Sequence, residues 1–465
     1  MNTFSESSPL KRLYGPEAYG PEPVTSWWEA SAPPLSFETP QLAGETQADI
    51  AIIGGGYTGM SAAIELAEAH GAKVVVLDAA RPGWGASGRN GGFCCFGGTR
   101  LDPAGLIARH GLEATREVVG AQVRSIDFVA SRIEALGLDV DRHGEGEVLF
   151  VHREKFIDEV REEASLYRDK LGIAAAYWDN DRCREAGLPG DLWHGGFFLP
   201  HGFGLHPLKY LRGLAEAAIR LGVVIHGGSE VHAVDETSDG VVLTTPGGTV
   251  RARAAIVATN GYLSENLPGW FGGRFMPVLS NILVTRPLTD DERAAHGWTG
   301  DMICADTRAL LHYFRMLPDG RMMFGGRGGT ATDPASVAKM RDTLRRAFDR
   351  MFPNWANVET THFWNGLLCM PSDMKAFCGQ VPGSARVFAS MGYCGSGVAM
   401  SSLLGTATAQ MAIQATTANE PGRIAVPDSI PSVFRKPPAR FPFAAFRNLG
   451  LKLAYGVFTL RDEYL

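Results

Sequence analysis

The stretch ADIAIIGGGYTGMSAAIELAEAHGAKVVVLDA, from Ala48 to Ala79, constrains this chain more than any other. Ile50 to Ile53 form an apolar run without alternation, the pattern of a strand buried on both faces of a parallel sheet. Gly54, Gly56 and Gly59 follow as G-x-G-x-x-G. The first glycine permits a tight turn, the second lets backbone meet a pyrophosphate, and the third lets helix and strand pack closely. Met60, Ala63, Ile64 and Ala67 then fall on one helical face, and Gly71 stands where a C-terminal cap belongs. The N-terminus of that helix, carrying Tyr57 and Thr58, offers N–H groups to phosphates. Lys73 to Leu77 read as a second strand. Asp78 closes it about 20 residues after Gly59, where a carboxylate accepts hydrogen bonds from a ribose diol, with Ala79 beside it. Strand, turn, helix, strand and acid in register predict a Rossmann-like dinucleotide-binding unit.

Asp78 does not separate FAD from NAD, since both carry an adenosine ribose. The segment after it does. ARPGWGASGRNGGFCCFGG (79–98) is a long glycine-rich stretch where a compact NAD unit would turn into another helix. Extended backbone with Ser87, Gly88, Arg89, Asn90, Gly91 and Gly92 can run along a pyrophosphate and a flavin ring. A plain surface loop accounts for the glycines but not for Trp84, Phe93 and Phe96.

Composition closes several other routes. The chain has 465 residues, 45% of them hydrophobic, enough for two or three domains or two interleaved ones. A formal net charge of −6 without a basic face argues against nucleic acid or an anionic membrane as partner. Seven cysteines, irregularly spaced and without CxxC, predict reduced thiols in a cytoplasmic protein. The first residues show no apolar h-region, no run of ~18 apolar residues predicts a membrane span, and the apolar tail FRNLGLKLAYGVFTLRDEYL reads as a helix docked on the protein's own core. HExxH and G-x-S-x-G are absent, and His194, His201 and His206 lack metal-site spacing, so no metal is expected.

Farther along, Pro207 opens a helix with Leu208, Leu211, Ala215 and Ala218 inward, ending at Gly222 before a strand at Val223 to Ile225. VVLTTPGGTVRARAAIVATNG reads as strands about a Pro-Gly-Gly turn, returning the chain to the nucleotide at Gly261. In MGYCGSGVAMSSLLG (391–405), Gly392, Gly395, Ser396 and Gly397 make a turn before a helix starting near Val398. Its dipole would point at a flavin edge where charge gathers on reduction.

These blocks, with GGFFLPHGFGLHPLKYLRGLAEAAIRLGVVIHGGSEVHAV (195–234) and YFRMLPDGRMMFGG (313–326), resemble in sequence and order the D-amino-acid-oxidase-like family of flavin amine oxidoreductases. GWGASGRNGG and the YFR…DGR block are most similar to its gamma-glutamylputrescine oxidase branch. The resemblance implies FAD, Val231 beside the adenine, and C–N bond oxidation of an amine or amino acid by hydride transfer to the flavin, followed by imine hydrolysis. The flavin carries the chemistry, so no catalytic side chain is assigned. Oxygen, giving hydrogen peroxide, is the expected acceptor. A dehydrogenase passing electrons to a quinone or electron-transfer protein is the alternative, and a non-catalytic flavoprotein a remote one. Relatives often carry a histidine at Ser396 and a serine at Cys394. Met323 stands where sarcosine oxidase has the lysine it uses with oxygen. Cys369 does not align with the linking cysteine of sarcosine oxidase, and 79–98 holds no histidine, so noncovalent FAD is expected.

The expected architecture is α/β, a Rossmann-like FAD domain from 46–150, 195–270 and 360–420 with an interleaved mixed-sheet α+β substrate domain from 151–194 and 271–359. Residues 1–45 read as an arm with Trp27 and Trp28 tucked inward, and 421–465 as a Pro-rich linker and helix. Tyr313, Arg315 and Leu317 share a strand face. Arg315 reads either as a fork for a substrate carboxylate or as a salt-bridge residue, and Trp364 either as pocket wall or as core.

Overall fold

The computed structural model describes residues 9–22, 24–417 and 424–463; the ends of the expected arm and tail, and 418–423, lie outside these. The Gly44–Ile53 strand is the centre of the first sheet. It pairs in parallel with Val74–Leu77 on one side (Ile50 opposite Val74) and with Gly248–Val257 on the other (Ile50 opposite Ala254). Val224–His226 extends the sheet beyond Val74–Leu77, and Val387–Met391 beyond Gly248–Val257. Both faces are covered. Ile50, Ile52, Val74 and Val76 pack under the helices Tyr57–His70, Leu112–Leu136, Pro207–Arg220 and Val398–Thr417. Ala51, Ile53, Val75 and Leu77 pack against Val234, Leu243 and Phe271 on the other side. Burial of every residue from Ile50 to Ile53 is what the non-alternating run requires.

The second sheet has eight strands in the order Thr360–Pro371, Phe275–Pro287, Arg321–Arg327, His312–Met316, Ile303–Asp306, Glu147–Phe150, Gly196–Leu199, Ala176–Trp178. Only the Ile303–Asp306 and Glu147–Phe150 pair is parallel. One face carries an aromatic core of Phe150, Trp193, Phe314, Phe324 and Phe352, closed by the Pro334–Met351 helix. The opposite face turns toward the first sheet. The fold is thus α/β, a Rossmann-like layer joined to a mixed-sheet layer.

Sheet membership departs from the expected segment boundaries. Glu147–Phe150, Gly196–Leu199 and Thr360–Pro371, assigned by sequence to the dinucleotide portion, pair within the second sheet. Each lies at a crossover between the layers, where a local apolar pattern is the same whichever sheet the strand joins.

In the arm, Ser26 caps a short Trp27–Ser31 helix. Trp28 is buried against His206 and Trp364, and its Nε1 donates to the Asn90 carbonyl at 2.8 Å. The Arg447–Glu463 helix docks through Leu451 and through Asp462, whose carboxylate accepts the Ala309 and Leu310 N–H groups at 2.9 Å. Its other side leaves Leu449, Leu453, Val457 and Leu460 exposed, so the tail is only half docked. Among the described residues no helix is long and apolar enough to cross a membrane.

Candidate active site

The glycine turn is built by close backbone approach. Gly54 holds φ +106°, and a Cβ there would lie 2.8 Å from the Ala258 carbonyl oxygen. A Cβ on Gly59 would overlap the Gly54 carbonyl, which is why helix and strand can meet. Asp78 Oδ2 accepts the Gly55 N–H at 2.7 Å, and Oδ1 accepts the Ala80 N–H at 2.9 Å. Enclosure pushes the Asp78 pKa up, while the two N–H donors pull it back.

The glycine-rich segment is pinned to this turn. Ser87 Oγ accepts the Tyr57 N–H at 3.0 Å. Asn90 Nδ2 donates to the Ser87 carbonyl at 2.9 Å, and its Oδ1 accepts the Gly92 N–H at 2.8 Å. Arg89 Nε donates to the Trp84 carbonyl at 2.6 Å, with its guanidinium 4.1 Å over the Trp84 ring. Side chains that sequence alone offers to a ligand therefore also shape the loop itself.

A cavity of ≈ 630 Å³ runs between the two sheets. Gly54, Gly56, Tyr57 and Thr58 line it at one end, with Asp78, Ala79 and Val231. Ser87, Arg89, Asn90 and Gly91 line its middle, and Gly395, Ser396, Gly397 and Val398 a further stretch. Gly59, Gly88, Gly92, Gly261 and Gly392 stand behind the wall. At each a Cβ would meet backbone or proline atoms, so these glycines serve packing within the protein.

Of the three expected substrate residues, Tyr313 reaches the cavity, and its hydroxyl shares a 2.9 Å hydrogen bond with Ser280 Oγ. Arg315 does not reach it. Its guanidinium is 1% exposed and spent within the protein, donating from Nε to the Gly91 carbonyl at 2.9 Å, from Nη2 to the Leu205 carbonyl at 2.7 Å and from Nη1 to His143 Nε2 at 2.6 Å. Period 2 put it on the Tyr313 strand, but the glycine-rich segment crosses over it and takes its donors. Burial lowers the Arg315 pKa to about 9, and the His143 pKa falls to about 4 through burial and Arg315, leaving the imidazole a neutral acceptor. Trp364 is core, packed with Trp28 and Met323, its Nε1 donating to the Arg89 carbonyl at 2.8 Å.

Two arginines that the sequence did not single out occupy the cavity instead. Arg100 and Arg327 both line it, and neither guanidinium has a hydrogen-bonding or carboxylate partner among the described residues. Arg100 is exposed and Arg327 half-buried, and the two lie close enough that the Arg327 charge lowers the Arg100 pKa to about 9. Arg327 Nη2 lies 3.2 Å from where Gly395 would carry a Cβ, against the turn before Val398. Arg327 ends the Arg321–Arg327 strand, one residue past the sequence block that drew notice, and Arg100 follows the last glycines of 79–98.

These residues fit FAD. A carboxylate stands for the adenosine ribose, a helix N-terminus for the pyrophosphate, and a glycine-built wall for a flat ring at Gly91 and Gly395 to Gly397. The helix start at Val398 supplies the positive dipole end.

Comparison with known proteins agrees with this geometry. Residues 49–411 match the DAO family, described as FAD dependent oxidoreductase. A protein named "Probable oxidoreductase OrdL" from Rhizobium meliloti is 30% identical over 453 residues, covering 95% of this chain and 98% of its own. The "Gamma-glutamylputrescine oxidoreductase" of Escherichia coli is 29% identical over 398 residues, covering 84% and 89%. Among solved structures, iminodiacetate oxidase from Chelativorans aligns with a TM-score of 0.65 at 17% identity, covering 84% of this chain and 100% of that one. The chain belongs to the DAO family of FAD-dependent oxidoreductases, which act on amines and amino acids.

Proposed function

We propose that the protein oxidises the C–N bond of an amine or amino acid that carries a carboxylate, a gamma-glutamylated amine being the favoured case. The observation that carries this reading is the unpartnered pair Arg100 and Arg327 on the cavity wall. Two guanidiniums held together without an anion are mutually unfavourable, and a substrate carboxylate would relieve them through forked hydrogen bonds. The name of the E. coli relative supports the gamma-glutamyl choice.

Gly54 to Thr58, Asp78 and Gly395 to Val398 would hold FAD, which would supply a hydride acceptor for the carbon beside nitrogen, with oxygen as the final acceptor in our reading. The chain's own residues do the rest. Arg100 and Arg327 fix the carboxylate, and the Tyr313 hydroxyl, oriented by Ser280, bounds the space over Gly91. Water hydrolyses the imine product to an aldehyde or keto acid and an amine or ammonia. We favour noncovalent FAD, since the Cys369 thiol is 1% exposed and burial drives its pKa far above the ordinary range. Seven free, buried thiols support a cytoplasmic setting.

The test is the visible spectrum of the anaerobic holoprotein with gamma-glutamylputrescine, putrescine, sarcosine, glycine and D- and L-amino acids. Bleaching by a carboxylate-bearing amine, followed by peroxide on admitting air, is expected. A flavin that only carboxylate-free amines bleach would refute the assignment of the arginines.

A further inference from the structure

One wall of the same cavity is acidic. Glu147 is 8% exposed and lines the cavity, yet no hydrogen bond or ion pair to its carboxylate is present among the described residues. Its strand alternates: Val148 and Phe150 enter the aromatic core, while Glu147 and Leu149 face the cavity beside Phe197, Leu199 and Ala305. Opposite, the Ile157–Leu171 helix turns Glu159, Glu163 and Tyr167 inward at successive steps of four. The side chains of Glu163 and Tyr167 also have no hydrogen-bonding partner among the described residues, although Tyr167 is 8% exposed.

The Glu147 carboxylate is largely shut off from water and has no counter-charge, while Glu163 is half-buried and Glu159 exposed. Burial pushes the Glu147 pKa up to about 7, and burial with Asp102 and Glu159 pushes Glu163 to about 7. No cation of the protein offsets either shift. The group that would do so is an ammonium ion delivered with the ligand, since an opposite charge at close range restores the ionised form.

Resting on the amine-oxidation reading, we propose that Glu147 and Glu163 bind a second, non-reacting ammonium group, so that the site also takes an amine whose distal group is a cation in place of the carboxylate. Sheet register sets the reach. Tyr313 pairs with Ala305 and Ala305 with Leu149, so Glu147 lies two strands across from Tyr313 and two residues along. That is about 12 Å between Cα atoms. An aliphatic spacer of several carbons between reacting and distal nitrogens spans what remains after the side chains. Arg327 lies one strand beyond Tyr313 on the other side, so the anionic and cationic subsites are separated across the sheet, and a gamma-glutamyl group, with both charges on one carbon, engages only the first.

The test is calorimetric titration of the anaerobic holoprotein with α,ω-diamines from propane to hexane length, each paired with the n-alkylamine of equal length. The diamines should bind at least about tenfold more tightly than their partners, with a preferred length. E147Q should erase this advantage and E147D keep part of it. E163Q provides a second variant, and each ratio is read within one protein of verified FAD content. Equal affinity of the two series, binding of neither, or an advantage that survives both Gln variants overturns the proposal. A diamine advantage without flavin bleaching by any amine leaves the subsite standing and removes the oxidation reading. Bleaching by a carboxylate-bearing amine without a diamine advantage does the reverse.

Discussion

Arg315 Nε donates a hydrogen bond to the Gly91 carbonyl oxygen across 2.9 Å, joining the second sheet to the glycine-rich segment. With Leu205 and His143 on its remaining nitrogens, this guanidinium clamps the loop that forms the middle of the cavity. R315M would leave two carbonyls and an imidazole nitrogen without a donor. We predict a loss of about 3–5 kcal/mol in urea unfolding, together with weaker FAD retention. A variant as stable as wild type would mean that the loop is held otherwise.

Asp78 joins two backbone N–H groups to the expected ribose position. D78A removes a charged acceptor from both. The FAD dissociation constant of the apoprotein, followed by fluorescence quenching, should rise by about 10–100-fold. An unchanged constant would place the adenosine elsewhere.

The elevated Glu147 pKa predicts a pH-dependent stability. The native pKa of about 7 exceeds the ordinary value of 4.5, so between these the native state holds a proton the unfolded chain has lost. Stability therefore falls as pH rises through this window, and the full cost is present above it. E147Q cannot titrate. Without amine it should be more stable than wild type at pH 8 by up to about 3 kcal/mol, with the difference shrinking toward pH 4. Thermal unfolding of both proteins across this range checks the sign, and a pH-independent difference would contradict it.

Noncovalent attachment makes a simple prediction. Acid precipitation should leave the yellow chromophore in the supernatant. Colour remaining in the pellet would point to a thiol on the wall, Cys95 or Cys369.

The dinucleotide half of the fold was legible because local physics dictates it. The run Ile50 to Ile53, the clash that only glycine avoids at position 59, and Asp78 are each tied to neighbours within a single strand–helix–strand unit. The substrate half was less legible because long-range pairing builds it. Glu147, Ala305 and Tyr313 come to share one sheet face across three strands that are far apart in sequence. Arg315 misled for the same reason: alternation assigns a face, but only the tertiary structure shows that Gly91 and Leu205 occupy its donors. The signal for Arg327 was present in its strand, where Gly325 stands under the Tyr313 ring and Arg327 follows on the same face.

The most direct test of the central claim is anaerobic flavin reduction by gamma-glutamylputrescine in wild type and in R327M, with concentration varied at fixed pH. The account predicts rapid bleaching in wild type and a half-saturating concentration raised about 10–100-fold in the variant, with its FAD content intact. Equal saturation in the two proteins would show that Arg327 does not hold the substrate carboxylate.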